Sequence, residues 1–127
     1  MKITASVDVP SIDEGLKFFG EVFGFVESSR PHPGYAMLGA GDSTIGLLAK
    51  PAGSSPAQGS SDVRKYERHW TPVHLDFRVE DFEATLKRAL EGGAKSEQVH
   101  RVPGYPPVAF CCDPFGHGFC IVGLTKL

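Results

Sequence analysis

The 127 residues carry a formal charge of −2, with 41% hydrophobic and 22% charged residues, a balance typical of one soluble globular domain. Lys and Arg are scattered singly, so the basic stripe of a nucleic-acid-binding surface is missing. No run approaches the roughly 20 apolar residues of a membrane span, and Met1–Thr4 leads straight into strand-like alternation with no signal-peptide core; a cytoplasmic chain with neither a membrane nor a nucleic-acid partner is the expectation.

In residues 3–9, Ile3, Ala5, Val7 and Val9 alternate with polar neighbours, which predicts a half-buried strand. Ser11 and Glu14 have capping-box spacing, in which each side chain satisfies the other residue's backbone N–H. Ile12, Leu16, Phe19 and Phe23 then mark one helical face, and Gly24 supplies a left-handed stop. Residues 35–38 and 44–49 read as strands joined by a turn with Gly39, Gly41 and Asp42, while Arg30-Pro31-His32-Pro33 reads as an irregular connection. Residues 50–62 lack apolar periodicity and are rich in Gly, Ser and Pro, which predicts a linker or mobile loop.

Val73, Leu75, Phe77 and Val79 restart a period-two pattern whose other face holds His74, Asp76 and Arg78. Phe82, Leu86, Ala89 and Leu90 form a helical stripe ended by Gly92 and Gly93. Residues 108–112 and 119–122 read as a hairpin flanking Asp113-Pro114-Phe115-Gly116. The three cysteines, Cys111, Cys112 and Cys120, are an odd number with two adjacent, which argues for reduced thiols rather than a disulfide framework.

Laying each residue on the one 70 positions later pairs Val9 with Val79, Ser11 with Asp81, Ile12 with Phe82, Leu16 with Leu86 and Lys17 with Lys87. The chain therefore reads as an α+β domain made of two copies of one strand, helix, strands unit. The first copy covers about 1–49, the linker about 50–72 and the second copy about 73–127.

Val9-Pro10-Ser11, Leu16-Lys17-Phe18-Phe19, Val22-Phe23-Gly24-Phe25, the run His74–Val79 and the turn Asp113-Pro114-Phe115-Gly116-His117 together resemble the vicinal oxygen chelate superfamily. That group includes glyoxalase I, bleomycin-resistance proteins, fosfomycin-resistance enzymes and extradiol dioxygenases. The resemblance implies two tandem βαβββ modules forming curved sheets around a pocket, in a homodimer. It also implies a divalent metal (zinc, nickel, manganese or iron) held by one residue from the first and one from the last strand of each module. By position these are Thr4 and Gly46, then His74 and Cys120. Only His74 and Cys120 carry metal-binding side chains, and no carboxylate stands at the positions where the family keeps its ligand and base.

Tyr35, His69, Trp70, Tyr105 and Phe110 are the aromatic and polar candidates for lining a small-molecule pocket, although Trp70 and Phe110 are more typical of a core. Two functions stay open. One is metal-assisted lyase or isomerase chemistry on a small oxygen-bearing substrate. The other is metal-independent binding or sequestration of a small molecule, as in bleomycin-resistance proteins. A module serving dimerisation alone is a third.

Overall fold

A computed structural model describes residues 1–127 as two compact units, Met1–Tyr66 and Glu67–Leu127. Unit 1 runs β1 (Ala5–Val9), α1 (Ile12–Phe23), β2 (Val26–His32), β3 (Tyr35–Ala40) and β4 (Ser43–Ala49). Unit 2 repeats it as β5 (Leu75–Val79), α2 (Phe82–Glu91), β6 (Lys95–His100), β7 (Val108–Cys112) and β8 (Gly118–Gly123). Each unit holds one four-stranded mixed sheet, in the orders β1-β4-β3-β2 and β5-β8-β7-β6. In both, the first strand runs parallel to the last and the other pairs are antiparallel. No helix is long and apolar enough to cross a membrane.

Both helices start on a side-chain cap. The Ser11 hydroxyl accepts from the Glu14 N–H at 3.2 Å, and the Asp81 carboxylate from the Ala84 N–H at 2.9 Å. Glu14 closes its box differently from the expected form, because its carboxylate accepts from the Ser11 hydroxyl at 2.7 Å. Gly24 ends α1 with φ 77° and donates to the Gly20 carbonyl.

The buried face of α1 is Ile12, Gly15, Phe18, Phe19 and Val22, rotated from the expected stripe so that Leu16 and Phe23 are only half-buried. Gly15 is the cause. A Cβ there would stand 2.8 Å from Leu47 Cδ1 and 3.0 Å from Val9 Cγ1, so the helix lies on the sheet at its side-chain-free position. Likewise α2 buries Phe82, Thr85, Leu86 and Ala89, leaving Leu90 45% exposed.

Strands β2 and β6 have no counterpart in the hydrophobic pattern. Every residue of β2 is exposed, and β6 (Lys-Ser-Glu-Gln-Val-His) is almost wholly polar. Both are sheet edges with no buried face, so period two has nothing to mark. Arg30 to His32, expected in an irregular connection, belong to β2, where an edge tolerates Pro31.

Residues 50–66 contain no regular element, as expected for a linker, yet they are fastened to unit 1. Arg64 donates through Nε to Asp8 at 2.7 Å and through Nη1 to the Ser55 carbonyl at 2.7 Å, and its backbone exchanges hydrogen bonds with Gly53 and Ser54. The expected linker or mobile loop is thus folded back around one part-buried guanidinium.

Pairing register fixes how the copies correspond. Ser6 opposes Gly46 in unit 1, and Asp76, 70 positions after Ser6, opposes Cys120 in unit 2. Gly46 and Cys120 therefore occupy the same place in their sheets.

Candidate functional site

Alternation along the second copy's first strand splits it chemically. Leu75, Phe77 and Val79 take one face, where Phe77 meets Phe119 edge-on with ring centroids 5.8 Å apart. His74, Asp76 and Arg78 take the other. The parallel pairing of β5 with β8 brings Cys120 beside Asp76 on that second face, and His74 Nε2 lies 3.2 Å from Asp76 Oδ1. The donor atoms of His74, Asp76 and Cys120 all fall within 4.8 Å of one another.

Donors about 2.0–2.3 Å from one tetrahedral ion are separated by about 3.3–3.8 Å, so these side chains share one ion after drawing together by about 1 Å. Its chemistry also fits. One imidazole, one carboxylate and one thiol suit borderline transition metals such as zinc, and three protein donors leave a coordination position open for a ligand. Cys120 is 3% exposed, and burial, reinforced by the Asp76 carboxylate, pushes its thiol up to about 11. Without a cation it is therefore a neutral thiol at pH 7, and a metal taken up there must expel that proton.

Asp76 was not among the residues singled out from the sequence. Its signal was present, since it stands two residues after His74 on one strand face. What made it a ligand candidate is the cross-strand register, which a single sequence does not show.

Unit 1 fills the equivalent place with something else. The Tyr35 hydroxyl and the Ser6 hydroxyl share a hydrogen bond of 2.9 Å directly over Gly46. A Cβ at Gly46 would sit 2.7 Å from Tyr35 Cζ and 2.9 Å from Ser6 Oγ. Gly46 is thus the residue that admits the Tyr35 ring, and Thr4 is exposed.

In unit 2 a cavity of about 200 Å³ lies against the cluster, lined among others by Arg68, Trp70, Thr71, His74, Phe110 and Cys120. Trp70 and Phe110, expected chiefly in the core, are 80% and 40% exposed and border this cavity. Phe110 gets there by opposing Cys120 in the β7–β8 ladder. Tyr105, 66% exposed, and His69 lie outside its lining; Tyr35 belongs to unit 1.

Residues 67–71 form a strap along this cavity. Its backbone rests on Gly116, whose φ of 92° already favours glycine and where a Cβ would stand 2.9 Å from the Glu67 nitrogen. His69 donates its backbone N–H to the Gly116 carbonyl, its Nδ1 contacts the Glu67 carbonyl, and its Nε2 lies 3.2 Å from His117 Nδ1. With Nδ1 donating to Glu67, Nε2 is left to accept from His117. The turn beneath is built on buried Asp113, whose Oδ1 accepts from the N–H groups of Phe115 and His117 at 2.8 and 3.0 Å. Desolvation raises the Asp113 carboxyl above its usual range, against the opposing pull of His117.

Arg68 projects from the strap and forms a fork with Glu97, Nε to Oε2 at 2.8 Å and Nη2 to Oε1 at 3.1 Å. The guanidinium holds the Glu97 carboxyl below the usual carboxylate range. Cys111 and Cys112 are both buried and unoxidised. Burial pushes the Cys111 thiol up to about 11, which leaves it without nucleophilic thiolate at neutral pH.

Residues 4–122 match the family model of the glyoxalase-like domain. No curated protein matches in sequence. Among solved structures, hypothetical protein SA1046 from S. aureus aligns with TM-score 0.74 at 17% identity, covering 97% of this chain and 93% of that one. The genomically encoded fosfomycin resistance protein FosX from Listeria monocytogenes aligns with TM-score 0.72 at 16% identity, covering 98% and 93%. Lactoylglutathione lyase from Agrobacterium tumefaciens aligns with TM-score 0.63 at 14% identity, covering 98% and 93%. At such identities the structural matches speak for the fold, and the family model spans nearly the whole sequence. The chain belongs to the glyoxalase-like domain family, within the vicinal oxygen chelate superfamily.

Proposed function

We propose that this protein binds one divalent metal through His74, Asp76 and Cys120, and that it acts on a small oxygen-bearing substrate in the adjoining cavity, in lyase or isomerase chemistry. The observation that carries this reading is the convergence of three different donor side chains within 4.8 Å of one another, two of which, His74 and Cys120, line that cavity. A cation held there would polarise a substrate carbonyl or hydroxyl and reduce the cost of negative charge developing on its oxygen.

The chain's own residues supply the rest. Cys120 gives up its proton on metal uptake, so affinity rises with pH. In the free state Asp76 stands 3.2 Å from His74 Nε2 and directly across the ladder from Cys120, which keeps the three side chains together. Trp70 and Phe110 offer apolar surface for the body of the substrate. A homodimer is the assembly proposed, by analogy with the superfamily.

Zinc, nickel, manganese and iron(II) titrations of protein freed of metal by chelator test the reading. One equivalent per chain, abolished in His74→Ala and Cys120→Ala, supports it; failure to take up any of the four ions contradicts it. The second reading, metal-independent sequestration, is favoured by Gly46, because unit 1 contributes no ligand there. It predicts ligand-induced thermal stabilisation that chelator leaves unchanged.

A further inference from the structure

We infer that Arg68 is the specificity-determining residue of the unit 2 cavity, and that the ligand it selects carries an anionic carboxylate or phosphonate. This deepens the proposed function and rests on its assignment of the cavity as the ligand site.

Placement comes first. Gly118 and Cys120 are two residues apart on β8, so their side-chain positions share one sheet face, about 6.6 Å apart. A Cβ at Gly118 would stand 3.0, 3.1 and 3.2 Å from Nη2, Nη1 and Cζ of Arg68. Three nearly equal distances mean that the flat guanidinium lies face-on over Gly118. The missing side chain thus seats a permanent positive charge one strand repeat from Cys120, over the same face as His74 and Asp76.

Hydrogen-bond capacity comes next. Arginine has five N–H donors. Glu97 takes one from Nε and one from Nη2, and the His69 carbonyl takes one from Nη1. One N–H on each terminal nitrogen is left over, which suits a two-oxygen anion. Glu97 and the His69 carbonyl fix the plane of the group, while the strap is itself anchored on Gly116 and His117. The charge is therefore oriented before a ligand arrives.

Size and polarity limit the rest of the molecule. The cavity of about 200 Å³ is below the 300–1,000 Å³ typical of drug-sized sites. Its apolar lining includes Trp70, Phe110 and Phe119. A compact molecule with one anionic end and a short apolar or aromatic body matches these features.

Calorimetric binding of 3-phenyllactate, phenylphosphonate and the neutral 3-phenyllactamide to the full chain tests the inference, with EDTA present so that metal plays no part. Wild type should prefer at least one anion to the amide by about 10- to 100-fold, the value of a charge-assisted pair. The stronger anion tells carboxylate from phosphonate. Arg68→Met should erase the preference. Gly118→Ala, which removes no charge, should weaken anion binding by displacing the guanidinium, and Glu97→Gln should strengthen it by removing the competing carboxylate. Equal binding of acid and amide, no binding of any of the three, or a preference that survives Arg68→Met overturns the inference. Zinc uptake without EDTA reports the metal cluster separately, so loss of either reading is seen independently of the other.

Discussion

The two units share a backbone plan and differ on one sheet face. Where unit 2 places Asp76 opposite Cys120, unit 1 places Ser6 opposite Gly46. Unit 1 closes that face with a Tyr35–Ser6 hydrogen bond, whereas unit 2 keeps donor atoms facing a cavity. Tyr35 and Val108 are equivalent, because each opposes the residue two beyond Gly46 or Cys120 in the last strand. A small residue at 108 leaves the face open; a phenol at 35 fills it. The duplication preserves architecture and divides chemistry between its copies.

The largest expected effect is on the open face. His74→Ala or Cys120→Ala should lower zinc affinity by about 100-fold or more, since even outer-sphere partners of ligands are worth 10- to 100-fold, as read by competition with a chromophoric chelator. On the closed face, Gly46→Ala should destabilise by about 1–3 kcal/mol in urea unfolding, because its Cβ has no room beside the Tyr35 ring. Adding Tyr35→Val, which copies the unit 2 residue, should recover most of that loss. Additive losses would show that the ring does not dictate the glycine.

The hairpin turns offer a second contrast. Unit 1 joins β3 to β4 through Gly41 and Asp42 alone, while unit 2 spends residues 113–117 on a turn centred on buried Asp113. Asp113→Ala removes the acceptor of two backbone N–H groups and should cost about 1–3 kcal/mol; Asp113→Asn keeps an acceptor and should cost less. The pH dependence carries a definite sign. The raised Asp113 carboxyl makes the folded state bind more protons than the unfolded one, from the ordinary value of 3.8 up to the raised value. Its contribution to stability therefore falls as pH rises through that window, and Asp113→Asn should remove the fall. An unchanged stability–pH curve would contradict it.

Much of this was legible in the sequence. The 70-residue offset, both helices and six of the eight strands followed from periodicity, capping residues and resemblance. Edge strands β2 and β6 did not, because they bury no face. The α1 stripe was misjudged by one position because Gly15 marks closest approach to the sheet rather than a weak point in the helix. Asp76 was visible as a neighbour of His74, but its approach to Cys120 depends on cross-strand register. Arg68 had no sequence signal at all, since its position rests on Gly116, Gly118 and Glu97.

The smallest effect concerns what the copies have in common. Ser11→Ala and Asp81→Ala should each cost about 1 kcal/mol, because both caps satisfy one backbone N–H at a helix start. A large disparity would mean that the two helices do not contribute alike to their units.

The most direct test of the division between the units is the stoichiometry of zinc binding to full-length protein at neutral pH, for wild type, Cys120→Ala and Gly46→Ala. One equivalent per chain in wild type and in Gly46→Ala, with none in Cys120→Ala, is the predicted result. No zinc bound by wild type, or an equivalent that persists in Cys120→Ala, would contradict a metal site confined to the second unit.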